Sequence, residues 1–384
     1  MRGQRKVMRS GTPLDSGAIH IIEDRSQALA EIDAITAIDL FSGYQHPAFL
    51  KAWVSQRDVE PFFIRIETQY GGHVLLPLER QGTHNVGYVG GKHANGNFPI
   101  GSPEGLRELN GIGLDALAES TKVQKANIGT IALERQLESL EGVKNPFVDH
   151  RAVRSPNVAL SFDIEGDFDE VLQGRPGSRK RKRFRSQMRK LEAMGPVSVE
   201  IPVGAKTVRE VLARFFELKS QRLKDAGIHD SFGDVATRAA FYSMFADSAD
   251  RVYKTHQLFV LKVGDKYAAI MGNTLHNKRL TVEFSTFDAE FAHAGPGDLL
   301  FFLAVEYAVQ NGCKVFDFGV GDERFKRTWC DIETYQYDVF IPVSLSGRLY
   351  TAANKMRSQV VGQLKSNEKI WNAAKAARRR LAGT

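Results

Sequence analysis

Apolar positions in this chain recur with two periods, and the changes between them mark out its elements. Runs of β-branched and aromatic residues predict strands at 62–67 and 73–79, joined by a turn at 69–72, then at 86–89 and 128–133. A second set is stronger: 257–262 and 267–271 around a turn at 263–266, continued by 273–276, then 279–287, 315–318 and 335–343. Helical spacing is found at 47–53, opened by Pro47, at 106–117 and over a short stretch at 135–140. It is clearest at 208–223, where Val208, Val211, Leu212, Phe215, Leu218 and Leu223 share a face. Leu299, Leu300, Leu303, Ala304, Tyr307 and Ala308 form another apolar face, closed by Asn311-Gly312. Residues 352–381 predict one or two basic helices, with Met356, Val360 and Leu364 on one face and Ile370, Trp371, Ala374 and Leu381 further on. Docking on the protein's own surface and interfacial contact with a membrane both fit them.

The stretch from 281 to 329 carries most of the chemistry. It runs strand, glycine turn, helix, strand, glycine loop. Gly295 and Gly297 allow backbone angles that other residues resist, and Asp298 is placed to cap the helix that follows. Unpaired N–H groups and the helix dipole make such a turn a ready anion site; a plain structural turn has the same composition. Asp317 sits inside a hydrophobic strand, so it needs a partner: an acceptor amine, or the Gly319–Gly321 loop it would support. Glu323 and Lys326 are spaced to pair with each other, or to place one charge at a substrate. Trp329 reads as a packing anchor that could also wall a pocket. Arg222 suits an anionic group or a surface ion pair. The glycine-rich stretch 90–99 lines a site or is a flexible surface loop.

Composition narrows the partners. With 384 residues the chain is long enough for two domains. Net charge +7 and a pI near 9.2 favour an anionic partner: a phosphate-rich cofactor, nucleic acid or a membrane surface. The densest basic run is 175–190. There Phe184, Met188 and Leu191 recur at helical spacing, which turns the cations outward as a solvated face or as a contact for an anionic surface or tRNA. Two cysteines without metal-binding spacing suggest a reducing compartment. No apolar run reaches membrane-spanning length and no signal core follows the basic start, so a cytoplasmic protein is expected, with residues 1–17 as a disordered basic arm.

Two motifs carry a family resemblance. Residues 292–297 sit where the GNAT acyltransferase superfamily has its (Arg/Gln)-x-x-Gly-x-(Gly/Ala) loop, with Ala292 in place of Arg or Gln. Pro296-Gly297-Asp298-Leu299-Leu300 and the long run Asp317-Phe318-Gly319-Val320-Gly321-Asp322-Glu323-Arg324-Phe325-Lys326-Arg327-Thr328-Trp329 resemble the CelD/BcsL-like branch. The resemblance implies an α/β (α+β) fold of two tandem GNAT-like domains, each a mixed, mainly antiparallel sheet flanked by helices. Residues 18–165 are then a degenerate copy, 166–345 the working acyltransferase domain and 346–384 basic C-terminal helices. It implies acyl-CoA, acetyl-CoA first among them, as co-substrate, no metal, and a small-molecule or glycan-precursor amine as acceptor.

The same resemblance places the donor on Phe284, Thr286, His293, Ala294, Gly295, Gly297, Asp298 and Leu299; by their own chemistry Arg222, Asp317, Glu323, Lys326 and Trp329 are the candidates for holding the acceptor. Glu283 is the first candidate for the base that deprotonates the amine, His276 the second; a solvent-facing polar position explains either equally well. Two rivals stay open. One is a Fem-type transferase that takes its acyl group from aminoacyl-tRNA, which the basic run at 175–190 would suit. The other is a binding or regulatory protein with a decayed site.

Overall fold

A computed structural model describes residues 18–69, 71–82, 84–249 and 255–366. The expectations for 1–17 and for Ile370, Trp371, Ala374 and Leu381 fall outside those residues. The first half runs β1 (Ile19–Ile22), α1 (Arg25–Asp33), α2 (Pro47–Gln56), β2 (Phe63–Glu67), β3 (His73–Leu76), β4 (Leu78–Gln81), β5 (Asn85–Tyr88), β6 (Ile100–Gly101), α3 (Pro103–Glu108), α4 (Gly113–Glu119), α5 (Thr121–Lys125), β7 (Thr130–Leu137), β8 (Ser139–Leu140), β9 (Val143–Lys144) and β10 (Val153–Asp163). The second runs α6 (Phe168–Gln173), α7 (Gly177–Glu192), β11 (Val197–Glu200), α8 (Ala205–Asp225), α9 (Val235–Ala249), β12 (His256–Val263), β13 (Lys266–His276), β14 (Arg279–Phe287), α10 (Pro296–Gln310), β15 (Val315–Val320), α11 (Arg324–Arg327), β16 (Ile332–Pro342) and α12 (Leu345–Ser366).

Ten strands form one mixed sheet in the order β11-β12-β13-β14-β15-β10-β16-β7-β5-β4, and β1-β2-β3-β6 form a smaller one. Pro77 explains the split: it ends the predicted strand 73–79, so β3 and β4 join different sheets. The halves repeat one plan, an antiparallel hairpin (β4–β5, β13–β14), then helices, then a strand parallel to the second hairpin strand (β7, β15). They are tied by exchange. The last strand of each half pairs with the other, β10 with β15 and β16 with β7, and β10 and β16 pair at the centre.

Two expectations change here. Residues 135–140 are not helical: β7 runs to Leu137 against β16, and cross-strand pairing overrides the local spacing. The predicted helix 106–117 is divided into α3 and α4 at Gly111, whose φ of +84° ends the first helical turn sequence.

Side chains at alternate positions of β12 enter different cores. Leu258 and Val260 meet Phe215, Phe232, Phe241 and Phe245 beneath α8 and α9, while Phe259 and Leu261 meet Leu299, Leu300 and Phe316 beneath α10. Strand β14 breaks this alternation. Val282 lies in the second core and Phe284, two residues on, in the first. Val282 opposes Asn273 and Phe284 opposes Gly272, so Glu283 is the extra residue of a β-bulge. Gly272 makes the bulge possible: a Cβ there would stand 2.2 Å from the Phe284 ring. Gly272→Ala is expected to destabilise the fold by about 1–3 kcal/mol, as other overpacked cores are, read from urea unfolding.

Candidate active site

Strands β14 and β15 are parallel for three pairs only, Arg279 with Val315, Leu280 with Phe316 and Thr281 with Asp317. Beyond these no ladder pair joins the two strands. On one side the bulge at Glu283 turns β14; on the other Gly319, at φ +69°, passes so close to Val282 O that a Cβ would lie 3.0 Å from it. Asp317 pins the vertex. Its Oδ1 accepts from Gly319 N at 2.8 Å and its Oδ2 from Arg279 Nη1 at 3.0 Å. Loop support is therefore its observed role.

Glu283 sits just past that vertex, its Oε1 accepting from Thr274 Oγ1 at 2.7 Å. Burial pushes its pKa up to about 8, with Asp317 adding to the effect and Thr274 opposing it. It faces a cavity of about 30 Å³ shared with Gly43, His93, Asn95, His256 and Thr274. Gly43 and Asn95 also line a larger pocket of about 320 Å³, with Phe41, Tyr44, His276, Arg279, Asp317 and Gln336. Both halves of the chain thus wall it. The glycine-rich stretch 90–99 is part of that wall, with Ala94, Asn97 and Phe98 buried and Gln336 Nε2 donating to Asn95 O. The Tyr44 hydroxyl is kept protonated: burial raises its pKa well above the ordinary value, and Glu283 and Asp317 raise it further against Arg279. His276 is a weaker base than usual because it is buried; its ring stacks on Phe41 at 4.7 Å.

The other end of the opening is the glycine turn. Gly295 takes a left-handed conformation (φ +70°) as N-cap of α10, Pro296 is the first helical residue, and no side chain caps the helix. Asp298 does not cap it, contrary to expectation; at the third helical position its carboxylate meets Arg183 Nε at 2.8 Å and Gln187 Nε2 at 3.2 Å. The N–H groups of Gly297 and Asp298 therefore have no helical acceptor. His293 is exposed, whereas Ala294 and Leu299 are buried in the core. Thr286 is buried with its hydroxyl unpartnered, and Phe284 is enclosed by the aromatic core.

The expected acceptor residues do not converge. Arg222 lies over the Phe287 ring at 4.1 Å, near the turn. Glu323 and Lys326 pair at 3.0 Å, and the buried Lys326 Nζ also donates to Val320 O at 3.0 Å. Trp329 is enclosed by Phe162 and Phe302, with Lys180 Nζ 3.7 Å from its ring centre. Sequence reasoning missed Tyr44, Thr274 and Lys219, whose Nζ donates to Ser285 O at 3.1 Å and whose pKa burial lowers to about 8. Only Thr274 left a signal, since the hairpin turn at Asn277-Lys278 sets it beside Thr281.

A parallel pair that opens at a bulge, followed by a glycine turn and an uncapped helix N-terminus, defines a GNAT-type acyltransferase fold. Residues 178–327 match the family model described as an acetyltransferase (GNAT) domain. Among solved structures, the C-terminal domain of a protein assigned as a lysylphosphatidylglycerol synthetase from Agrobacterium fabrum is similar at 12% identity and TM-score 0.54, over 88% of this chain and 97% of that one. FemX is similar at 13% identity and TM-score 0.52, over 87% and 99%. A conserved protein of unknown function from Bacteroides thetaiotaomicron gives 11% and 0.50, over 84% and 99%. Among curated proteins none matches the sequence.

Proposed function

We propose that the protein is a cytoplasmic N-acyltransferase that moves an acyl group, acetyl in the simplest case, from acyl-CoA to an amine of a sugar, amino acid or polysaccharide precursor. The observation that carries the proposal is the end of pairing between β14 and β15, with Glu283 just past the vertex and free amides at the glycine turn. Gly297 and Asp298 N–H hold the donor's diphosphate, aided by the helix dipole. The acceptor amine occupies the larger pocket. As its nitrogen attacks the thioester carbon, Glu283 takes the nitrogen's proton, the C–N bond forms and the C–S bond breaks. Tyr44, a neutral O–H near Glu283, orients the amine. The departing thiolate takes a proton from solvent.

A second donor fits one observation. Helix α7 leans on the α10 N-terminus and exposes Arg179, Lys182, Arg185 and Arg189, a surface suited to the phosphates of aminoacyl-tRNA. Thermal-shift titration with acetyl-CoA, longer acyl-CoAs and charged tRNA separates these donors. Saturable stabilisation by CoA thioesters supports the proposal, stabilisation by charged tRNA alone replaces the donor, and no response to any of them leaves a non-catalytic protein. Gly297→Asp sharpens the test. A carboxylate in the first helical turn suits the dipole, which offsets the 3.3 Å approach of the new Cβ to the Phe287 ring, so the melting temperature should change little, while repulsion of the diphosphate should weaken acetyl-CoA binding by about tenfold or more.

A further inference from the structure

Helix α12 packs on β10, β16 and β7, yet it turns a continuous apolar stripe away from them. Leu345 is 77% exposed, Leu349 76%, Met356 66% and Val360 48%. At roughly 100° per residue these four fall within an arc of about 60°, with exposed Ala352 beside them. The sheet side is opposite: Thr351 is buried and Tyr350 meets Phe340 edge-on at 6.3 Å. Among the described residues, nothing covers the Met356 and Val360 face.

Charge identifies the partner. The helix carries Arg348, Lys355, Arg357 and Lys365 and no Asp or Glu. On the helical projection Arg348 and Lys355 flank one edge of the stripe, and the exposed Arg357 lies beyond the other, near Glu134 of β7. An apolar arc bordered on both sides by cations, with no acidic residue, matches a bilayer interface: acyl chains take the stripe while lipid phosphates take the flanks. A second copy of this helix would bring like charges together at both flanks, which disfavours self-association. No helix among the described residues is long and apolar enough to cross a membrane, so attachment is from the surface.

We propose that α12 is an interfacial helix that seats the protein on an anionic lipid membrane, independently of what the acyltransferase site transfers. The test is co-sedimentation of the full chain with phosphatidylcholine vesicles, with and without about one third phosphatidylglycerol. Binding should rise about tenfold with the anionic lipid and fall as salt is added. Leu349→Asn with Met356→Asn should abolish it while leaving the melting temperature unchanged, since both side chains are already in water. Arg348→Gln with Arg357→Gln should weaken it and flatten the salt dependence. Absence of binding to either vesicle overturns the proposal. So does binding that the Asn pair leaves intact. Concentration-dependent dimers that the Asn pair dissolves would assign the stripe to a second copy instead.

Discussion

Replacing Glu283 with glutamine should lower kcat/KM for acyl transfer by about 10²- to 10⁴-fold, the range a positioned general base supplies. Stability should not fall. Glutamine keeps the shape and can still accept from Thr274 Oγ1, and it removes a carboxyl that burial already holds neutral up to about pH 8. The pH dependence distinguishes catalysis from packing. The wild type should gain activity as pH rises through about 8, when Glu283 loses its proton; in Glu283→Gln that limb should vanish. Stability gives an independent readout with the opposite sign. Glu283 has a folded pKa above its unfolded value, so below about pH 4 both states hold the proton and it contributes no pH dependence. Between that range and pH 8 the unfolded state releases the proton more readily, and the wild type loses stability relative to Glu283→Gln as pH rises. A limb that survives in the variant would move the base elsewhere, with His276 next in line.

The strand containing Glu283 could be seen in the sequence, and its environment could not. Apolar periodicity located β12, β13, β14, α8, α10 and β16 to within a few residues, because each buries a regular face. The glycine turn was legible for a similar reason: Gly295 and Gly297 are local chemistry, and Gly295 takes the left-handed conformation the turn needs. Three other features depend on the fold as a whole. The bulge arises from Gly272 meeting Phe284 across a hairpin, so simple alternation cannot show which way Glu283 points. Tyr44 comes from the other half of the chain, in a short turn ahead of Pro47, and reaches the site only because the halves share one sheet. The exchange of β10 and β16 is likewise invisible: 335–343 reads as an ordinary strand, and nothing local marks 153–163 as its partner.

In the C-terminal motif one sequence signature is spread over several local contacts. Its conspicuous members do separate tasks: Asp317 fixes the strand vertex, Gly319 permits close approach, and Lys326 holds the Val320 carbonyl. Spacing alone gathers them into one motif and suggests a single substrate site. The structure divides them between the vertex and the core under α10.

Trp329→Ala is the decisive case. The indole is 4% exposed and lies between Phe162 and Phe302, whose ring centres are each 6.1 Å away. Its removal should destabilise the protein by about 3–5 kcal/mol, through lost burial and the cavity left behind. The Lys180 ammonium over its face adds about 0.5–1 kcal/mol. Arg175 Nε donates to the Trp329 backbone carbonyl, so that bond survives truncation and limits collapse of the loop. Urea unfolding should show the loss, and Trp329→Phe should recover more than half of it by refilling the site. In the folded fraction, KM for donor and acceptor should match the wild type. A rise in acceptor KM with little loss of stability would instead make the indole a pocket wall, bringing the motif back to the substrate.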